Sequence, residues 1–133
     1  MSHRKKSLIY AIILFILLVT ACGGGNGEEN KEGADAGSAL FEQSVIGGQP
    51  GCVTCHSLEP GVTLVGPSLA TIGSEAGTRV ADQSAEEYLR QSILDPTAHV
   101  VEGYPVNQMP PNFGQTLKDE QISDIVAFLM TLK

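Results

Sequence analysis

Cys52-Val53-Thr54-Cys55-His56 is the stretch from which the rest of this chain takes its organisation. Two thiols three residues apart with an imidazole directly after them match the attachment pattern of a c-type haem, in which the sulfurs add across two vinyl groups and the histidine binds iron. The spacing has a mechanical cause. The vinyls sit on neighbouring pyrrole rings, so the sulfurs must lie close together, and a histidine beside the second one can swing under the iron. The same letters serve two other chemistries. A C-x-x-C pair is also a thioredoxin-type redox site or half of a zinc site. Zinc needs two further ligands, and the remaining candidates, Cys22, His3 and His99, are widely separated. A redox pair would sit near a strand-helix-strand pattern, whereas residues 57–61 read as a turn. One covalent haem with its iron is expected, and the redox dithiol is the competing assignment.

An iron-bound histidine must donate its other ring N–H to something, or the ring rotates. Leu64-Val65-Gly66-Pro67-Ser68-Leu69 offers carbonyls on a turn that Pro67 stiffens, although a plain turn would read the same way. Farther on, residues 97–115 form a loop rich in Pro, Gly and Asn with no apolar periodicity, and a loop of that length usually has a task. It carries Met109 among Pro105, Pro110 and Pro111. A thioether is the soft sixth donor that favours ferrous iron and raises its potential, and the prolines would hold this one in place. Met1 lies in the leader and Met130 in the last helix, so Met109 is the candidate; His99 is its rival.

Three helices are predicted around these segments. The first starts near Asp35 as cap, runs through Leu40 and Phe41 to about Ile46, and stops at Gly47-Gly48; Gly37, four residues before Phe41, leaves a bare patch where another helix can approach. Ser84-Ala85-Glu86-Glu87 is a capping box that opens a helix through Tyr88, Leu89, Ile93 and Leu94, ended by Asp95-Pro96. The last repeats apolar residues at Ile122, Ile125, Val126 and Leu129, so that Ile125 and Phe128 would pack on Gly37 and Phe41. Its N-cap position holds Lys118, which has no acceptor, so Thr116 is expected to cap instead.

The 133 residues divide into three parts. Residues 1–21 have the layout of a secretory signal: Arg4, Lys5 and Lys6, then an apolar run from Leu8 to Val19, too short for the roughly 20 residues that span a bilayer. Leu18-Val19-Thr20-Ala21-Cys22 resembles the bacterial lipobox, in which Cys22 becomes an acylated N-terminus. Residues 22–36, rich in Gly, Glu, Asn and Asp, are expected to be a flexible tether, and residues 37–133 a single domain. With Cys22 on lipid and Cys52 and Cys55 on haem, no thiol is left over for the oxidising space outside the cytoplasm. From Cys22 onward five basic residues face fifteen acids, a formal charge of −10 that makes nucleic acid an unsuitable partner.

Taken together, Gly37 with Phe41, the Cys52-Val53-Thr54-Cys55-His56 pentapeptide, Gly66-Pro67-Ser68-Leu69, Met109-Pro110 and the closing Ile125-Val126-Ala127-Phe128-Leu129 resemble a class I (mitochondrial-type) mono-haem cytochrome c domain in a bacterial lipoprotein form. The resemblance implies an all-α fold whose terminal helices cross at a glycine and aromatic contact, with His56 and Met109 axial to iron and the Pro67 carbonyl holding His56. One departure is the absence of tryptophan, which many relatives place beside a haem propionate; Tyr88, Tyr104 and Arg79 are the substitutes available. The function implied is electron transfer, not catalysis, on the extracytoplasmic face of a bacterial membrane. Partners would be a quinol-oxidising complex, a terminal oxidase or a photosynthetic reaction centre. The alternative is a haem c catalytic or gas-sensing domain, which would need a sixth ligand that leaves.

Overall fold

A computed structural model describes residues 25–133; the signal segment and Cys22 lie outside them. Six α-helices and one small hairpin follow in order: α1 (Gly25–Phe41), β1 (Val45–Ile46), β2 (Gln49–Pro50), α2 (Cys52–Cys55), α3 (Ile72–Glu75), α4 (Ala85–Leu94), α5 (Phe113–Thr116) and α6 (Asp119–Thr131). A single 3₁₀ turn, Ala76–Thr78, continues α3. The expected all-α class holds, with two two-residue strands as the only sheet among the described residues.

The frame is the crossing of α1 with α6. At Gly37 the two backbones come so close that an added Cβ would lie 1.9 Å from the carbonyl oxygen of Asp124. One turn before it, a Cβ on Gly33 would stand 3.2 Å from Asp124 Oδ1 and 3.9 Å from Ala127 Cβ, so the small residues at 33 and 37 make one continuous groove for α6. One turn after it, Phe41 is 1% exposed and tilts against Phe128 with ring centroids 5.5 Å apart. Such a pair contributes about 0.5–1.5 kcal/mol beyond the area it buries. Ile122, Ile125, Val126 and Leu129 of α6 join Phe41, Ile72, Leu89, Ile93 and Phe113 in one core.

Residues 25–36 are therefore helical, not the flexible tether expected from their composition. Glu28, Lys31, Glu32 and Asp35, which read as self-repelling, are exposed on a helix whose Gly33 and Gly37 side has a partner. The same helix ends at Phe41 and not at Ile46. Ile46 is buried at 3%, and it gets there as a strand residue paired with Gln49. Gly47 (φ +57°) and Gly48 (φ +77°) make the two-residue turn, a geometry that needs positive φ at both central positions.

The capping box of α4 is formed in both directions: Ser84 Oγ accepts from the Glu87 amide at 3.2 Å, and the Glu87 carboxylate accepts from the Ser84 amide at 2.8 Å. The Ser84 hydroxyl, which donates to the Glu87 carboxylate at 2.7 Å, and then the Ser84 amide hold the Glu87 carboxyl below its ordinary pKa. Thr116 does not cap α6; its hydroxyl donates to the carbonyls of Asn112 and Phe113 in α5. Gln121 takes the task instead, accepting from the Lys118 amide at 3.0 Å. The far end of α6 is tied as well, since the Gly73 amide donates to Leu132 O at 2.9 Å and Lys133 Nζ to Gly73 O at 3.0 Å.

Replacing Gly37 with alanine should destabilise the haem-loaded protein by at least about 1–3 kcal/mol in urea unfolding, because two backbones must separate. Gly27→Ala, whose Cβ meets nothing within 4 Å, should leave stability unchanged or slightly raised. In the same assay Ser84→Ala should cost about 1 kcal/mol. The Glu87 contribution is present above the ordinary carboxylate pKa and fades as pH falls through its depressed value.

Candidate haem site

The α2 helix is a single turn whose job is to aim two sulfurs. Its N-cap, Gly51, sits where a Cβ would be 1.7 Å from Gln43 O, and its amide donates to Ser44 O at 2.9 Å, which docks the turn on the hairpin. Thr54 Oγ1 closes it by donating to Gly51 O at 2.6 Å. Cys52 and Cys55 are free thiols, both partly buried. Burial pushes the Cys52 thiol up, with the neighbouring Cys55 adding to the effect. A thioredoxin-type nucleophile needs the opposite shift. Among the described residues no group of three or more His, Cys, Asp or Glu is placed to hold a metal ion.

His56 follows α2 in extended conformation (φ −118°, ψ 130°), and its Nδ1 lies 2.9 Å from Pro67 O. A carbonyl only accepts, so Nδ1 carries the proton and Nε2 is left as the coordinating atom. Burial holds the imidazole below its ordinary pKa, and the Pro67 bond opposes this only in part, so the neutral ring with its free lone pair is favoured. Two backbone bonds fix the acceptor: Gly66 N–H to Cys55 O at 2.8 Å and Leu69 N–H to Ser57 O at 2.8 Å. They stitch the chain beside His56 to the turn that carries Pro67. Gly66 must be glycine for a second reason, because a Cβ there would lie 2.5 Å from His56 Cε1.

These residues line one cleft together with Met109. Met109 is partly buried and packs on the core, while Asn107 two residues earlier takes a positive φ of +63° that turns the loop. The rival His99 lines the same cleft, its ring edge-on to buried Tyr88 at 5.6 Å. Tyr88, Tyr104 and Arg79 are also at the wall, Arg79 held by Glu75 at 2.5 Å. Most of the remaining surface is apolar, from Phe41, Leu69, Ile72, Leu89, Ile93, Phe113, Ile125 and Leu129; Ser68, Ser92, Thr97, Asn107 and Gln108 add polar groups, and no carboxylate lines it. A flat apolar macrocycle fits such walls, with two sulfurs, an imidazole and a thioether as the available donors.

Sequence reasoning named Gly66 only as part of its turn and did not name Gly51 or Gly73, whose close contacts the structure shows. The signal was in the sequence only as glycine itself, because each answers to a neighbour far along the chain. Gly66→Ala should displace the His56 ring, lower stability by about 1–3 kcal/mol, and shift the His56 ring-nitrogen resonances in NMR of the haem-loaded protein.

A family model for cytochrome c matches residues 34–133. No curated protein matches the chain. The match spans three quarters of the sequence and takes in the pentapeptide, the Pro67 turn and the methionine loop. The chain belongs to the cytochrome c family, as an electron-transfer protein with a class I mono-haem domain that binds covalent haem c and its iron.

Proposed function

We propose that this chain is a membrane-tethered carrier that passes single electrons between respiratory or photosynthetic redox partners, as a mobile shuttle or as a subunit of a complex. The observation that supports it best is the convergence of Cys52, Cys55, His56 and Met109 on one apolar cleft. Haem c, when bound there, supplies an iron that cycles between ferric and ferrous states. In this reading the Cys52 and Cys55 sulfurs would carry the haem covalently and His56 Nε2 would hold its iron. Pro67 O holds the imidazole against rotation. The Met109 thioether would hold the iron as well, and a soft neutral sulfur would favour the reduced state. With His56 and Met109 both holding the iron, no position would remain for a substrate, as a catalytic or gas-sensing domain needs. The apolar walls keep water away, so little solvent has to reorganise when the charge changes.

The tether in this reading is Cys22, acylated after cleavage at the lipobox, which places the domain on the extracytoplasmic face of a bacterial membrane. No helix among the described residues is long and apolar enough to cross a membrane. A quinol-oxidising complex, a terminal oxidase or a photosynthetic reaction centre would be the electron donor or acceptor.

Met109→Ala should abolish the near-infrared sulfur-to-iron band of the ferric protein and lower the midpoint potential by a sizeable part of the about 0.8 V that axial ligands command. An unchanged band and potential would remove Met109 from the iron. Mass spectrometry of protein extracted from membranes should find an N-terminal peptide that begins at Cys22 and carries acyl chains. A peptide with unmodified Cys22 would reject the lipid anchor.

A further inference from the structure

Arg79 is the only Asp, Glu, Lys or Arg among the residues that line the cleft, and it comes with a partner. Its Nη2 donates to Glu75 Oε2 at 2.5 Å, and the other carboxylate oxygen, Oε1, accepts from the Thr71 hydroxyl. Neither Thr71 nor Glu75 is part of the lining. The pair therefore shows its cation to the cleft and keeps its anion behind.

The backbone that carries the pair is fixed. Ile72, Gly73 and Ala76 are buried, and the Gly73 bonds to Leu132 and Lys133 tie α3 to the end of α6. Thr78 Oγ1 donates to Glu75 O at 2.8 Å and the Arg79 amide to Ala76 O at 3.2 Å, which closes the 3₁₀ turn just before Arg79. Four residues apart, Glu75 and Arg79 have 47% and 32% of their side chains exposed. An ion pair so open to water contributes little to stability. Its effect on the cleft is a separate matter, because mostly apolar walls screen a charge far less than water does.

Haem c, when bound in the cleft, carries an iron whose ferric state has one positive charge more than its ferrous state. A guanidinium, protonated at any working pH, disfavours that extra charge, and a carboxylate beside the guanidinium offsets it. Glu75 stays ionised at neutral pH. The Thr71 hydroxyl first, and then Arg79, hold its carboxyl below its ordinary pKa.

We infer that Glu75 is a positioning residue for the redox step: it holds Arg79 at the cleft wall and offsets most of the charge that Arg79 brings to the iron. This rests on the reading of the cleft as the haem site. Thr71 aims the carboxylate by occupying its other oxygen. The second ion pair, Arg90 with Asp119, includes no residue of the lining and is the natural control.

The test is a redox titration of the haem-loaded full chain, with each variant first checked for an unchanged haem spectrum. Glu75→Gln keeps the shape and removes the charge. At a fixed potential it should move the ferrous-to-ferric ratio at least about threefold toward ferrous, a rise of about 28 mV at 59 mV per tenfold for one electron. Arg79→Gln, which leaves Glu75 without its cation, should move the ratio at least about threefold toward ferric. The double variant should return to within about twofold of the parent, and Asp119→Asn should shift the ratio less than about 1.5-fold. A merely structural role would not give opposite shifts that cancel. The inference is overturned by a Glu75→Gln shift that runs toward ferric or is no larger than that of Asp119→Asn, by single variants that move the same way, or by a double variant that does not return. The reading of the cleft fails separately, if mass spectrometry finds the peptide with Cys52 and Cys55 without the mass of haem.

Discussion

One hydrogen bond, from Nδ1 of His56 to the carbonyl of Pro67, governs how the site can work. An imidazole held only through its link to the backbone would sample several ring orientations, and iron would feel each as a different ligand field. Donation to a carbonyl removes that freedom and fixes the tautomer together with the orientation. The bond is only as good as the position of its acceptor, so Gly66 and Leu69 are laced to Cys55 and Ser57 on either side of it. Pro67 limits φ, and Gly66 clears the space in which the ring lies. What looks like a local contact is thus a small assembly of backbone bonds, one glycine and one proline.

That assembly needs a frame that does not move, and the frame is built by close approach more than by bulk. The α1 and α6 backbones touch at Gly37, the C-terminus of α6 is sealed by the Gly73 amide, and α2 is pressed on the hairpin through Gly51. At each place the absence of a side chain lets main-chain atoms meet, and the aromatic pair Phe41 and Phe128 locks the crossing. Arg90 adds a link between α4 and α6 through Asp119 and Ser123. The cleft is what remains between the helical frame and the loops, and its walls are the faces of core residues such as Ile125 and Leu129 that the frame turns inward.

Legibility from sequence followed the range of the interaction. The capping box at Ser84 and Glu87 and the helix ending at Asp95-Pro96 depend on residues a few positions apart, and both were readable. The haem-attachment motif was readable too, because Cys52, Cys55 and His56 form a compact pattern. Composition misled at residues 25–36, where acids and glycines look disordered until Asp124 and Ala127 appear across from Gly33. Gly47-Gly48 was recognised as a stop but not as a hairpin turn, since nothing local says that Ile46 must be buried as a strand residue. Thr116 lost the cap of α6 to Gln121, because α5 had already claimed its hydroxyl. Glycines demanded by contact with a distant backbone leave no periodic trace.

The central claim is that iron in this protein lies between the imidazole of His56 and the sulfur of Met109. Iron K-edge X-ray absorption on the haem-loaded protein reads the coordinating atoms directly. The account predicts a sulfur scatterer in the first shell beside the nitrogens, present in both oxidation states. A first shell of nitrogen alone, with His99 or a weak-field donor in the sixth position, would contradict it.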